Sequence, residues 1–146
     1  MNDNTKFKKH PIQLQNLKVL QLSLIVNGEK NQEKLPESGS FRLFHGYSDY
    51  NIDSKEIGVK IGIEIDSESD CSPFDLQVEI VGVFEVNPEK FDVKYIEDWA
   101  SKNAPLILYP YLREHVHSLT NRAGFEGLLL PLFEIPTFKA QKQHDT

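Results

Sequence analysis

The stretch from Ile57 to Asp66, IGVKIGIEID, alternates between aliphatic residues and polar residues or glycine at every position. Successive side chains of a β-strand point to opposite faces of a sheet, so this pattern predicts a strand with one buried and one wet face. A turn-like segment at 67–73 follows, and apolar residues resume from Phe74 to Val86. We therefore expect the two strands to form an antiparallel hairpin. In the second strand Leu76, Val78 and Ile80 alternate, and Val81 and Val83 then break the phase of the alternation.

Residues 12–26, IQLQNLKVLQLSLIV, alternate in three short phases. The first phase ends at Leu14, the second joins Leu17 to Val19, and the third begins at Leu20. Each change of phase predicts a bulge or kink in one long strand. A polar loop at 27–40 and a weaker strand at 41–47 follow.

After Asn87 the apolar period changes from two to that of a helix. Val93, Ile96 and Trp99 are spaced three apart, which predicts a short helix starting near Pro88 to Phe91. Strands come first and helices last, so we expect an α+β domain with helices on one face of an antiparallel sheet.

A longer helix is predicted between 103 and 125, NAPLILYPYLREHVHSLTNRAGF. Asn103 is a candidate N-cap, and Pro105 falls in the first turn, where its missing N–H costs nothing. Pro110 lies deeper and is expected to kink the helix. Gly124 is able to take the positive φ that ends a helix.

One side of this helix carries a narrow apolar seam of the kind that packs helices together. Two interpretations stay open on spacing alone. The seam is either an interface between subunits of a homo-oligomer or a face that packs on the chain's own sheet. Its members are spaced 4, 3, 4, 3 and 4: Pro105, Tyr109, Leu112, Val116, Leu119 and Ala123.

Composition limits the classes of function. The chain has 146 residues, 39% of them hydrophobic, which suits one folded domain. The polar N-terminus and the lack of a long apolar run predict a cytoplasmic protein without membrane insertion. Its net charge is -6, and residues 64–98 hold eleven Asp or Glu against Lys90 and Lys94, which argues against a nucleic-acid partner.

We also expect neither catalysis nor a cofactor or metal. The one cysteine, Cys71, has acidic neighbours that do not activate a thiol. His115 and His117 are two apart, so on a helix they point in nearly opposite directions and cannot share a metal ion. The residues thus argue against an enzyme, and a passive scaffold that binds one folded partner is an alternative.

The helix from 103 to 125 resembles the SecB family of protein-export chaperones. Two prolines five apart before an Arg-Glu pair make the motif specific, and the resemblance extends over roughly 12–135. The matching residues are Pro105, Leu106, Ile107, Leu108, Tyr109, Pro110, Tyr111, Arg113, Glu114, Leu119, Arg122, Phe125, Leu128 and Leu130.

The resemblance implies a four-stranded antiparallel sheet and an ATP-independent holdase that binds unfolded or precursor polypeptides in apolar grooves. It also implies a homo-oligomer, a dimer of dimers, with the long helices at the interface. The candidate interface residues are Tyr109, Leu112, Val116 and Leu119. The candidate groove residues are Leu35, Phe41, Leu43, Phe44, Tyr47, Leu129, Leu132 and Phe133.

The chain departs from the family at the acidic surface that contacts the motor protein SecA. Those positions fall near Gln21, Ile25 and Gln77, none of which is acidic; Asp75 and Glu79 flank the last of them. The resemblance makes SecA one candidate partner. The departure from the family adds a second candidate, a single dedicated client such as an antitoxin. The predicted organisation is a flexible segment at 1–11, one SecB-like domain at 12–138 and a short polar tail at 139–146.

Overall fold

A computed structural model of the chain describes residues 6–27 and 41–133. Leu35, residues 1–5 of the predicted N-terminal segment and the predicted tail 139–146 lie outside the described residues. The elements are β1 (Ile12–Val26), β2 (Arg42–Tyr47), β3 (Glu56–Ile65), β4 (Phe74–Val86), a 3-10 turn (Val93–Tyr95), α1 (Ile96–Lys102) and α2 (Ala104–Arg122). The strands form one antiparallel sheet in the order β1-β4-β3-β2, and the helices pack on one face of it, which confirms the predicted fold class.

The long edge strand β1 carries two bulges where the sequence changes phase. Its register with β4 shifts between Leu14 and Asn16 and again between Val19 and Gln21. Each shift moves the aliphatic side chains back to the face that covers the core. The prediction of one bulged strand over 12–26 is confirmed.

The hairpin of β3 and β4 forms the centre of the sheet, as predicted. Their pairing runs without a shift from Ile57, opposite Phe84, to Ile65, opposite Leu76. The break in apolar alternation at Val81 and Val83 does not interrupt β4, because buried and half-buried residues alternate along the strand to Phe84. Gly82 lies on the inner face, between the buried Ile80 and Phe84. Val81 and Val83, which flank it in sequence, therefore point to the outer face.

The helical part begins later than predicted. Residues 88–90 form turns, and the 3-10 turn starts at Val93 with Asp92 as its cap, whose side chain accepts a hydrogen bond from the Lys94 N–H over 3.2 Å. Asn103 has helical dihedral angles and makes no side-chain capping bond, so its predicted role as N-cap is wrong. Its own N–H donates to Trp99, which leads α1 almost directly into α2.

Pro105 and Gly124 follow the predictions for α2, and the kink at Pro110 stays a prediction. Pro105 lies in the first turn, and the helix continues through Pro110, which is exposed. Gly124 has a φ of 98° just beyond the end of the helix, a conformation that glycine adopts without strain. The chain then turns back along α2, which positions the segment described below.

Candidate functional site

The inner face of β1, meaning the face toward the helices, is incompletely covered. Val19, Leu22 and Val26 pair with buried residues of β4 and so lie on this face. Their exposed fractions are 47%, 40% and 45%. The helices therefore cover β3 and β4 but leave an apolar row open on the edge strand, and we call these three residues the open row. Sequence reasoning missed it, because nothing local to 12–26 places this strand at an edge.

The candidate groove residues of β2 fall on two faces of the sheet. Leu43 and Tyr47 pair with the buried Ile63 and Val59 and belong to the inner face. Phe44 pairs with Gly62 on the outer face, where its ring lies so close that a Cβ atom on the glycine would overlap it. The structure therefore does not bring all of the candidates together. Phe41 comes just before β2. Like Leu43 and Tyr47, it is half-buried and packs against the core.

Residues 126–133, which we call the strap, run back along α2 from its end toward its beginning. The Leu128 N–H donates to Thr120 Oγ1 over 2.8 Å, and Arg113 Nε donates to the Leu130 carbonyl oxygen over 2.9 Å. The Tyr109 hydroxyl donates to the Pro131 carbonyl oxygen. Each of these hydrogen bonds joins an α2 side chain to the backbone of the strap.

The side chains of the strap divide between core and solvent. Leu130 is 1% exposed, whereas Leu129 and Leu132 are 67% and 78% exposed. Phe133 is half-buried against Tyr109, with ring centroids 5.3 Å apart. Of the three groove candidates on the strap, two thus present aliphatic side chains to solvent and the third packs on the helix.

The seam of α2 faces the sheet of its own chain. Leu112 and Val116 have no solvent exposure, and Tyr109 is 6% exposed. This is one of the two interpretations that the sequence left open, and a second subunit cannot reach these side chains without unpacking the core. Leu119 is half-buried. The apolar side chains that α2 does expose are Ile107 and Tyr111.

Burial changes the chemistry of Tyr109. Desolvation raises the pKa of Tyr109 to about 12, and the nearby positive charge of Arg113 opposes that rise. The phenol therefore stays protonated at neutral pH and keeps its proton available for the Pro131 carbonyl oxygen. The guanidinium carbon of Arg113 also lies 6.0 Å from the centre of the Tyr109 ring.

The two acidic residues proposed for a partner surface are already engaged within the chain. Asp75 Oδ1 accepts a hydrogen bond from the Ser67 N–H over 2.7 Å, which holds the turn between β3 and β4. Glu79 pairs with Lys60 Nζ at 3.0 Å. Gln21 lies opposite Glu79 and reaches Gln77 with its side-chain amide. Of these two carboxylates, Glu79 is thus paired with a positive charge, whereas Asp75 keeps its negative charge and is fixed in position by the turn.

A second carboxylate, Asp70, ties the same turn to β2. Arg42 donates from both terminal nitrogens to the two carboxylate oxygens, at 2.8 and 3.3 Å. Asp70 also accepts from the Asp66 N–H over 2.7 Å. The hydrogen bond from Arg42 lowers the pKa of Asp70, with help from Asp66 and against the effect of burial. The same bond raises the pKa of Arg42.

Among residues 6–27 and 41–133, no three His, Cys, Asp or Glu side chains are grouped so as to hold a metal ion. Over the same ranges, neither helix is both long and apolar enough to cross a bilayer. What the described chain offers is apolar surface on β1, on the inner side of β2 and on the strap.

Comparison with known proteins gives one consistent family. Residues 8–144 match the family model described as preprotein translocase subunit SecB. Protein-export protein SecB of Neisseria meningitidis serogroup C is 32% identical over 118 residues, which cover 80% of this chain and 73% of that protein. Protein-export protein SecB of Saccharophagus degradans is 32% identical over 76 residues, 52% of this chain and 44% of that protein. The match thus spans less than half the length of the second relative.

A solved structure supports the fold independently of sequence. It is a SecB-like chaperone of Mycobacterium tuberculosis in complex with a ChAD peptide from the HigA1 antitoxin. The TM-score is 0.62 at 17% identity, and the match covers 84% of this chain and 91% of the other. At that identity the likeness concerns the fold.

Proposed function

Because the chain belongs to the SecB family, we propose that it is an ATP-independent holdase chaperone of the cytoplasm that binds unfolded or export-bound polypeptides. It acts by binding and not by catalysis. A holdase needs adaptable apolar surface that accepts many sequences weakly, and several such surfaces on one oligomer raise the overall affinity.

The observation that carries this proposal is the apolar surface that one chain leaves uncovered. The core is well enclosed, yet Leu129 and Leu132 on the strap are 67% and 78% exposed. Apolar surface grouped in this way is typical of an interaction site.

We assign the client to the inner side of β2 and to the strap. Phe41, Leu43 and Tyr47 are half-buried on the core and keep part of their surface accessible. Leu129 and Leu132 supply the aliphatic wall. Phe133, Phe44 and Leu35 are secondary candidates, since Phe133 packs on α2 and Phe44 lies on the outer face.

We assign a second copy of the chain to β1 and to the exposed side of α2. β1 is an edge strand of fifteen residues that carries the open row. Soluble proteins usually protect such an edge by covering it. Homo-oligomers with paired interfaces cover such surfaces most often. Ile107 and Tyr111 extend the same assignment to the helix, in a dimer of dimers.

The alternative to a general holdase is a chaperone dedicated to one client. The outer face has Gln21, Ile25 and Gln77 where SecA-binding relatives carry acids, and Asp75 and Glu79 are held by Ser67 and Lys60. These features count against coupling to SecA, and a single dedicated client, such as an antitoxin, is the alternative to a general holdase. A scaffold without affinity for unfolded chains is the remaining alternative.

Refolding competition tests the proposal directly. Two unrelated, chemically unfolded proteins are diluted into buffer with stoichiometric amounts of this chain, without ATP, and aggregation is followed by light scattering. We expect both to be held in solution. Suppression of neither would overturn the general holdase and leave the dedicated chaperone or the scaffold, which a binding assay against an antitoxin peptide separates.

A matched pair of variants tests the assigned surface. Leu132→Ser removes an aliphatic side chain from the strap, and Ile52→Ser removes one from the turn between β2 and β3. Both side chains are 78% exposed, so the two variants lose the same kind of surface apolarity. We expect only Leu132→Ser to weaken the suppression of aggregation; equal effects would mean that the strap is not part of the surface.

A further inference from the structure

A polar cavity lies at the end of the sheet where β1 begins and β4 ends. Its volume is about 480 Å³, which is within the range of small-molecule sites. Three segments of the chain form its walls: the start of β1 with the residues before it, the residue before β3, and the turn after β4. The charged residues that line it are Lys9, Lys55, Glu85, Glu89 and Lys90, and none of the described client residues does so.

Backbone hydrogen bonds fix the three walls of the cavity relative to one another. The Asn87 N–H donates to the Pro11 carbonyl oxygen over 2.8 Å. The Val86 N–H donates to the Lys55 carbonyl oxygen, also over 2.8 Å, and the Lys90 N–H donates to the Asn87 carbonyl oxygen over 3.1 Å. The lysines therefore stand on a frame that is formed before any ligand arrives, which lowers the entropic cost of binding.

Lysines without an ion pair are concentrated at this cavity. Residues 6–27 and 41–133 hold nine lysines, of which Lys60, Lys94 and Lys102 form ion pairs within that part of the chain. Five of the other six lie in the cavity or in the segment 6–9 that leads to it: Lys6, Lys8, Lys9, Lys55 and Lys90. Since the chain has a net charge of -6, this corner is a local excess of positive charge that attracts an anion.

The backbone at Lys55 points to a role for its side chain. Lys55 has a φ of 61°, in the left-handed region that glycine adopts at less cost than any residue with a Cβ atom. The Lys55 N–H donates to the Asn51 carbonyl oxygen over 2.7 Å, a bond that glycine would make equally well. The turn thus has no need of a lysine at this position, and what the ammonium group binds would explain its presence.

We propose that the cavity binds a small anion with several negative oxygens, such as an oligophosphate or a tricarboxylate, through Lys9, Lys55 and Lys90. Three ammonium groups from three segments suit a charge that is spread over several oxygens. Glu85 is held by a hydrogen bond of 3.0 Å from Gln15 Nε2 and lines the same cavity with Glu89. These two carboxylates repel the continuation of a long polyanion, so a short anion fits and a nucleic acid does not.

This inference goes beyond the holdase function, because the site lies apart from the client surface and acts on the fold. An anion that contacts all three lysines joins the start of β1 to the turn after β4. Any ligand that binds only the folded chain stabilises it. Saturating sodium tripolyphosphate should therefore raise the melting temperature of the wild type.

The test measures the dissociation constant of sodium tripolyphosphate by isothermal titration calorimetry at low ionic strength, where exposed charges are least screened. Lys55→Gly removes one ammonium group and places at the left-handed position the residue that adopts it most readily, so the fold should be kept. We expect binding about fivefold weaker than that of the wild type, which corresponds to one exposed charge pair at close range. Adding Lys90→Gln should weaken binding again by a similar factor.

Lys18→Gln is the matched control, since Lys18 also lacks an ion pair among the described residues and lies on β1 outside the cavity. It should bind the probe as the wild type does. Citrate at the same ionic strength distinguishes carboxylates from phosphates as the preferred groups. Failure of the wild type to bind either probe, or equal binding by the wild type and Lys55→Gly, would overturn the inference. An equal loss in Lys18→Gln would overturn it too, because the attraction would then come from the charge of the whole surface.

Discussion

Gly82 on β4 faces Leu108 on α2 so closely that a Cβ atom at position 82 would lie 2.7 Å from Leu108 Cδ2. The same atom would lie 3.0 Å from Leu14 Cδ1 on β1. One missing side chain thus allows α2 to approach the centre of the sheet. The contact explains why a glycine occupies an inner-face position between buried residues.

Gly82→Ala should therefore destabilise the protein, although alanine suits a strand better than glycine does. Crowding against Leu108 and Leu14 is expected to reduce the free energy of unfolding by about 1–3 kcal/mol. Denaturant unfolding measures the change. Gly46→Ala is the control, since a Cβ atom there meets nothing within 4 Å and the substitution should be close to neutral. Equal stability of Gly82→Ala and the wild type would mean that Leu108 moves aside without cost.

Because the α2 seam is buried, an acidic substitution there should unfold the chain, whereas one on the exposed side of α2 should dissociate the oligomer. Val116→Asp places a charge where the side chain has no exposure, so it should unfold the chain, at a cost on the order of 4 kcal/mol or more. Tyr111→Asp changes a side chain that is 44% exposed and assigned to the oligomer. Tyr111→Asp should lower the molecular mass of the particle in solution and leave the chain folded. Circular dichroism and light scattering on both variants check this; a folded, smaller Val116→Asp particle would contradict it.

Local patterns predicted the strands well because a strand's alternation depends on its own residues and on one buried face. The phase changes at Leu14 and Val19 predicted both bulges of β1. The apolar pattern changes phase in β4 although the strand does not, because a glycine has no side chain to count. Only the helix packed above it shows that Gly82 belongs to the inner face.

Features that depend on distant neighbours were harder to predict. The 4-3-4 spacing of α2 correctly indicated an apolar contact face but could not say whose surface it meets. Likewise, Tyr109 and Arg113 were identified from the family motif, and their hydrogen bonds to the strap depend on how the chain returns after Gly124. The start of the first helical turn was predicted too early, near Pro88 to Phe91, although Asp92 is a recognisable capping residue.

The Arg42–Asp70 pair should make stability sensitive to acid. Its hydrogen bond from Arg42 lowers the pKa of Asp70 in the folded protein. The resulting stabilisation is present above the unfolded pKa of about 3.9 and is lost as pH falls through the folded value. Thermal unfolding between neutral pH and strong acid should show a smaller acid-induced loss in Asp70→Asn than in the wild type. The exposed Asp53→Asn is the control, and identical pH profiles for wild type and Asp70→Asn would rule out a contribution from the pair.

Tyr109 should make the strap sensitive to alkali in the opposite direction. Burial raises the pKa of Tyr109 to about 12, so the folded protein favours the neutral phenol. The stabilisation is therefore complete below the unfolded pKa of about 10 and is lost as pH rises from there toward the folded value. Ionisation also removes the proton that Tyr109 donates to Pro131. Tyr109→Phe should lose this alkaline dependence, together with about 0.5–1.5 kcal/mol for the missing hydrogen bond at neutral pH.

Hydrogen exchange and unfolding midpoints across the alkaline range measure this difference. Exchange at Leu128 should accelerate in the wild type before the rest of the fold opens, because the strap depends on Tyr109 more directly than the sheet does. Tyr95→Phe is the matched control, since Tyr95 is 55% exposed and stands far along the chain from the strap. An alkaline transition that persists unchanged in Tyr109→Phe would assign it to other groups and leave the docking of the strap independent of the phenol.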